Sequence, residues 1–456
     1  MCRLFIYFLL FSCFLFGHEL LAMEGDKDSN TSGISRKRKS STNSNNEDEH
    51  RSKVSKKEDD GSSRPVDHLT TYQDHIDFLR QSLMEAKDSV MISTYSVSTI
   101  LFNEGIDGAI KEARSRGVRI YIYYKNLKVL EHDPRLQEML KHCDKFEQND
   151  NHTKCVVQDK TRVAIGSFNW LSEINQTTVN RSLVVSGDLA YGVSNTFWQS
   201  MRFYQNIEHN NRKGIQRFVK KPHAFSTLAY QISPDELLYV LRTPEAHMDF
   251  VNNEVFGEAE KTIVLTSPFM RLDKLKQILS QSRIQDLEKR RVRTHLFTLD
   301  NPCNHTPLEG DQIFRYLEDM SQRYPHFSYS THKDLHAKTI VVDNDLLCEG
   351  SFNLLSAVDS TDHNANNFEG SLALRGPIAA PFIADFFKSP LVTKAFSTSS
   401  VEKAPDIRIF SGASFGREGF CVRLGSDYIR GLRGHIHYFS TRDEAMSKAQ
   451  DYIGKK

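Results

Sequence analysis

Two stretches of this chain carry the same six residues at the same spacing. The first holds His152, Lys154, Asp159, Gly166, Ser167 and Asn169; the second holds His336, Lys338, Asp343, Gly350, Ser351 and Asn353. Both read H-x-K, four residues, D, six residues, G-S-x-N. One such match arises by chance at a frequency on the order of one in tens of millions per site. Two copies therefore mark an internal duplication, whose halves are expected to pack as a pseudo-dimer.

The flanking pattern repeats as well. Tyr72 to Lys87 has helical spacing, with Ile76, Leu79, Leu83 and Ala86 on one face. A strand is expected from Ser89 to Thr94, a helix from Ile106 to Arg116 stopped by Gly117, and a strand from Val118 to Tyr124. The same order returns as a helix from Phe250 to Ala259, a strand from Thr262 to Ser267, a helix from Leu272 to Leu287 and a strand from Thr294 to Leu299. Alternating helix and strand predicts an α/β fold with a largely parallel sheet in each half.

The chain is expected to divide into six parts. Residues 1–22 read as a signal peptide or N-terminal anchor, because Arg3 precedes a short apolar run from Leu4 to Phe16. A start at Met23 is the competing reading. Residues 23–65 are too polar to bury a core and read as a disordered linker. They include the basic run Arg36 to Lys39, more ordinary as solvated linker charge than as an import signal. Residues 66–211 form the first half, 212–240 a basic connector, 241–400 the second half, and 405–456 a small α+β appendage. Export or secretion is expected from the N-terminal run, with membrane association if it stays uncleaved. The formal net charge of +1 over 456 residues points to no class of partner. Seven cysteines without a CxxC argue against a disulfide framework or a zinc site; Cys155 and Cys348 read as small buried hydrophobes.

The repeated residues suggest a chemistry directly. His and Lys two apart in an extended segment point to one face. A return strand brings Ser and Asn back to the same level. Two such hairpins face to face make a cationic pocket. His152, Lys154, Asp159, His336, Lys338 and Asp343 form the candidate catalytic set. Asp159 and Asp343 fall at the turns, where a structural role fits better. Ser167, Asn169, Ser351 and Asn353 are the candidate phosphate-binding residues. One histidine can attack phosphorus while the other protonates the leaving alcohol. No carboxylate cluster suggests a two-metal site, so neither a metal nor another cofactor is expected.

These motifs resemble the HKD motifs of the phospholipase D superfamily, over roughly Tyr72 to Gly376. The resemblance implies that His152 is the nucleophile and His336 the general acid. It also implies a downstream carboxylate that orients a catalytic histidine. Glu369 fits that place after the second motif, which would favour His336 as the better-oriented base. The matching stretch after the first motif, Val179 to Ser182, has no such residue.

The substrate is a phosphodiester, either nucleic acid or phospholipid, and no obligate protein partner is evident. Trp170 and Phe352 are candidates for stacking on bases, against ordinary core packing. The runs Lys289 to Arg293 and Arg212 to Lys221 are candidates for tracking a phosphate backbone. These features lean to an endonuclease-like enzyme. A phospholipase D, or a non-catalytic phosphate-binding protein, remains the alternative.

Overall fold

The computed structural model describes residues 65–129, 131–149, 152–199, 227–303, 307–356 and 369–397, with short segments between 407 and 447. The expected signal peptide, linker and basic stretch Arg212 to Lys221 lie outside the described residues, as does most of the helix expected at the C-terminus. No described helix is long and apolar enough to cross a membrane.

The first half is a seven-stranded sheet built from β1 (Val66–Leu69), β2 (Ser89–Val97), β3 (Arg119–Leu127), β4 (Lys145–Gln148), β5 (Cys155–Gln158), β6 (Arg162–Gly166) and β7 (Ser182–Ser186). Its order is β1-β7-β6-β5-β2-β3-β4. The second half adds β8 (Leu228–Ser233), β9 (Glu236–Leu241), β10 (Thr262–Thr266), β11 (Arg293–Thr298), β12 (Phe327–Thr331), β13 (Thr339–Val342), β14 (Leu346–Gly350) and β15 (Ser371–Arg375). Its order, β12-β11-β10-β13-β14-β15-β9-β8, repeats the first with β8 added at one edge.

The α/β duplication is therefore present, but the sheets are mixed rather than largely parallel. β2, β3 and β4 run parallel, as do β10, β11 and β12. The motif hairpins β5–β6 and β13–β14 then insert antiparallel at the sheet centres. The second half also starts earlier than expected, because β8 and β9 lie in the segment read as connector.

Strand alternation explains the layering. Val163 and Ile165 of β6 enter a core shared with Val341 and Leu347 of the second sheet. Ala164, between them, faces the helices of its own half. On the other sheet Leu346 and Cys348 face their own helices while Leu347 enters the shared core. The two sheets thus pack face to face with helices outside. Inside this contact Arg181 donates to Glu349 at 2.9 Å, with both side chains buried. Thr339 donates to the same carboxylate.

Side-chain caps set the start of several helices. Thr71 caps the helix Tyr72–Glu85 in a capping box with Asp74. Thr243 caps its counterpart, Pro244–Phe250, which continues as a π-helical turn, so this helix begins before the expected Phe250. The helix expected from Leu272 to Leu287 is two, because Ser280 caps a new helix, Gln281–Lys289. In the C-terminal segment, β16 (Ile407–Ser411), β17 (Phe420–Leu424), β18 (Asp427–Tyr428) and β19 (Tyr438–Phe439) form a small antiparallel sheet.

Candidate active site

His152 and Lys154 lie in the extended segment leading into β5, and His336 and Lys338 in the segment leading into β13. Both hairpins are anchored at their far ends by the motif aspartates. Asp159 accepts the backbone N–H groups of Lys87, Asp88 and Ser89. Asp343 accepts those of Glu260, Lys261 and Thr262. Each aspartate sits in the left-handed region, with φ of 51° and 52°, a conformation short acidic side chains tolerate. They hold the start of β2 and β10, and the structure does not bring them to the histidines.

The motif glycines are set by close approach. A Cβ on Gly350 would lie 1.7 Å from Ser371 Oγ, and one on Gly166 would lie 2.1 Å from Ser182 Oγ. Those two serines are held in turn by histidines that the sequence reading missed. His75 Nε2 contacts Ser182 Oγ at 3.0 Å, and His247 Nε2 contacts Ser371 Oγ at 2.7 Å. Each ring stacks on the motif phenylalanine of its half, Phe168 at 4.1 Å and Phe352 at 4.2 Å between centroids. The spacing Thr71-x3-His75 and Thr243-x3-His247 was a second, fainter repeat.

The motif serines do not face the pocket. Ser167 and Ser351 are fully buried. Ser167 Oγ donates to Asn180 Oδ1 at 3.0 Å, and Ser351 Oγ donates to Glu369. They fix the residues that hold the histidines, which corrects their expected role as direct phosphate ligands. Asn169 and Asn353 do line the pocket. Their Oδ1 atoms have no hydrogen-bond partner among the described residues. Asn175 keeps Asn169 in place by accepting its N–H and donating to its carbonyl.

The histidine partners are exchanged between halves. Glu369 sits 2.8 Å from Nδ1 of His152, across the pseudo-twofold axis, and not on His336 as the sequence order suggested. His336 Nδ1 contacts Asn180 Oδ1 at 2.8 Å. The Nδ2 of that asparagine is spent on Thr178, which leaves its oxygen for the histidine. A carboxylate and an amide oxygen only accept, so both rings carry hydrogen on Nδ1 and keep a lone pair on Nε2. Lys154 Nζ lies 3.2 Å from His152 Nε2.

Burial pushes the His152 imidazole down to about 4, against the pull of Glu369 and with the help of Lys154 and Lys338. Burial and the same two ammonium groups hold His336 well below the usual range. Burial lowers Lys154 to about 8 and drives Lys338 down as well, with Lys154 adding to the latter. Glu369 stays below the ordinary carboxylate range although burial opposes it, because His152 and Lys154 face it. The two neutral imidazoles line a cavity of about 360 Å³, with Lys154, Lys338 and Glu369 buried beside them.

The family described as "Cardiolipin synthase, PLD-like domain" matches residues 79–200, which include the first motif. The second motif repeats its six signature residues on a sheet of the same order. Residues 79–200 are therefore similar to a phospholipase D-like domain. Members of the phospholipase D superfamily cleave or transfer phosphodiesters. A crystal structure of phosphatidylserine synthase from Haemophilus influenzae Rd KW20 shares the fold, with a TM-score of 0.52 and 11% identity over 86% of this chain and 93% of that one. The superfamily member Nuc from Salmonella typhimurium aligns with 33% of this chain and 92% of its own, at 19% identity and a TM-score of 0.26. No curated protein sequence matches the chain.

Other sequence candidates lie away from the cavity. Trp170 is fully buried against Phe168 and Phe78, so it cannot stack on a base, and Phe352 packs on His247. In the run Lys289 to Arg293, Arg290 closes a helix end by donating to the carbonyls of Phe256 and Gly257. That run precedes β11, while the cavity lies beyond the other end of that strand.

Proposed function

We propose that this chain is a phospholipase D superfamily member that hydrolyses phosphodiesters through a covalent phosphohistidine on His152. The observation that carries this reading is the contact of Glu369 with Nδ1 of His152 beside Lys154 at Nε2. The carboxylate aligns the ring and stabilises the positive charge it gains as Nε2 attacks phosphorus. Lys154, Lys338, Asn169 and Asn353 stabilise the non-bridging oxygens. The bound diester's negative charge raises the proton affinity of His336, which protonates the departing alcohol. His336 then takes a proton from water, and the hydroxide attacks phosphorus and frees His152 Nε2.

No metal is required in this scheme. The lysines supply the positive charge, and both oxygens of Glu369 are engaged by His152. The substrate reading is nucleic acid. Partly exposed Tyr95 and Phe269 stand at the cavity mouth, where rings can stack on bases. A phospholipid headgroup is the second reading, favoured by exposed Ile174 on the same rim.

The test is hydrolysis by the full chain in EDTA, with single-stranded DNA, RNA, phosphatidylcholine and cardiolipin compared side by side. Cleavage of nucleic acid supports the proposal. Headgroup release alone replaces it with a phospholipase, and turnover of none with the phosphate-binding alternative.

A further inference from the structure

The floor of the cavity is two-fold symmetric, but its walls are not. Equivalent positions follow from the backbone pairing. Ser98 N–H bonds to Leu171 O and Arg271 N–H bonds to Leu355 O, both at 2.8 Å. Lys128 N–H donates to Val97 O, and the corresponding segments are joined with the bond reversed, Met270 N–H donating to Pro302 O. His152 and Asn169 thus meet identical twins, His336 and Asn353. Along the rim, Ser96 has Phe269 as its twin, Val97 has Met270, and Lys128 has Pro302.

This divergence makes the walls differ in charge, although Tyr95 and Ile174 add apolar surface to the first-half wall. On the first-half wall Lys128 is exposed and makes no ion pair among the described residues. Lys125 lies close enough to Lys154 to lower its proton affinity, and its twin in β11's continuation is Leu299. The second-half wall is lined by half-buried Phe269, with Met270 and Pro302 buried behind it. The cation on that wall, Arg271, is held by Asp273 at 2.9 Å.

We propose that the cavity takes its diester in one direction. The leaving alcohol carries an apolar or aromatic body that lies on Phe269, with Met270 and Pro302 behind it. The retained side carries a second anionic group that is bound by Lys128. The inference rests on the reading of His152 as nucleophile. In-line displacement from His152 puts the leaving oxygen against His336, and so the leaving body along the wall of His336's own half. The second-half wall is then occupied, and the retained ester extends over the cationic one. A substrate of this class is a diester with an aromatic leaving group and a further phosphate on the retained portion.

The experiment compares thymidine 5′-(p-nitrophenyl phosphate) with the same compound bearing a 3′-phosphate. The leaving group is identical, so the two differ only in the second anion. The full chain is expected to show about a fivefold higher kcat/KM for the phosphorylated probe, the size of one partly exposed charge contact. In Lys128→Ala that ratio is expected to fall to about one. Each variant's rate on the plain probe is its own reference, so a general loss of activity cancels. Phe269→Ser, which installs the residue of the twin position, is expected to raise KM for both probes and to keep the ratio. A ratio near one in the unaltered chain, or a ratio that survives Lys128→Ala, overturns the inference while leaving the phosphodiesterase reading intact. Failure to cleave either probe overturns both.

Discussion

Glu369, in the second half of the chain, holds Nδ1 of His152 in the first half at 2.8 Å. Neither half owns a complete catalytic histidine, so the duplication works only as a pair. Glu369→Gln removes the charge that aligns the ring and offsets its developing positive charge. A fall in kcat on the order of 10²- to 10⁴-fold is expected, with KM changing far less, as steady-state kinetics would read directly.

Asn180 gives His336 a neutral partner at the equivalent place. Asn180→Asp puts a carboxylate there, which favours the imidazolium and raises the His336 pKa. A general acid with a higher pKa stays protonated to higher pH. The alkaline limb of the kcat/KM profile is therefore expected to move upward in pH in this variant.

Four buried histidines should make the fold acid-sensitive. Burial lowers His75, His152, His247 and His295 to about 4, from 6.5 when exposed. Between those values the unfolded chain binds more protons, so stability rises with pH. The stabilisation is complete above 6.5 and is lost as pH falls toward 4. Urea midpoints measured across this window should drop as pH is lowered, and change little from these groups above it.

Arg181 and Glu349 form a buried pair between the sheets. Arg181→Met leaves the carboxylate without its cation and is expected to cost about 3–5 kcal/mol. Replacing both, as Arg181→Met with Glu349→Leu, should recover most of that loss. Denaturant titration of the two variants measures the difference.

The hairpins, their glycines and the reactive His and Lys residues were readable because each follows from local spacing, and local spacing is what the duplication preserves. The partner of His152 was not. Glu369 lies 217 residues away in sequence and reaches it only through the packing of two sheets. Sequence order assigned it to His336 instead. Ser167 and Ser351 were misread for a related reason: spacing gives the face of a strand, while burial decides whether a hydroxyl meets substrate or a neighbouring side chain. The mixed sheets escaped because helix–strand alternation does not reveal that an antiparallel hairpin enters at the sheet centre. His75 and His247 were visible as a repeat, yet each sits in the first turn of a helix of ordinary composition.

The most direct measurement is a trap of the covalent intermediate. In His336→Ala the p-nitrophenolate of an aryl diester needs no acid to depart, while deprotonation of the attacking water is lost. A burst of about one equivalent of p-nitrophenol per chain is expected, with mass spectrometry of the quenched protein locating one phosphoryl adduct on His152. No burst and no adduct in that variant, or an adduct on His336 in the reciprocal His152→Ala protein, would contradict His152 as the nucleophile of a shared site.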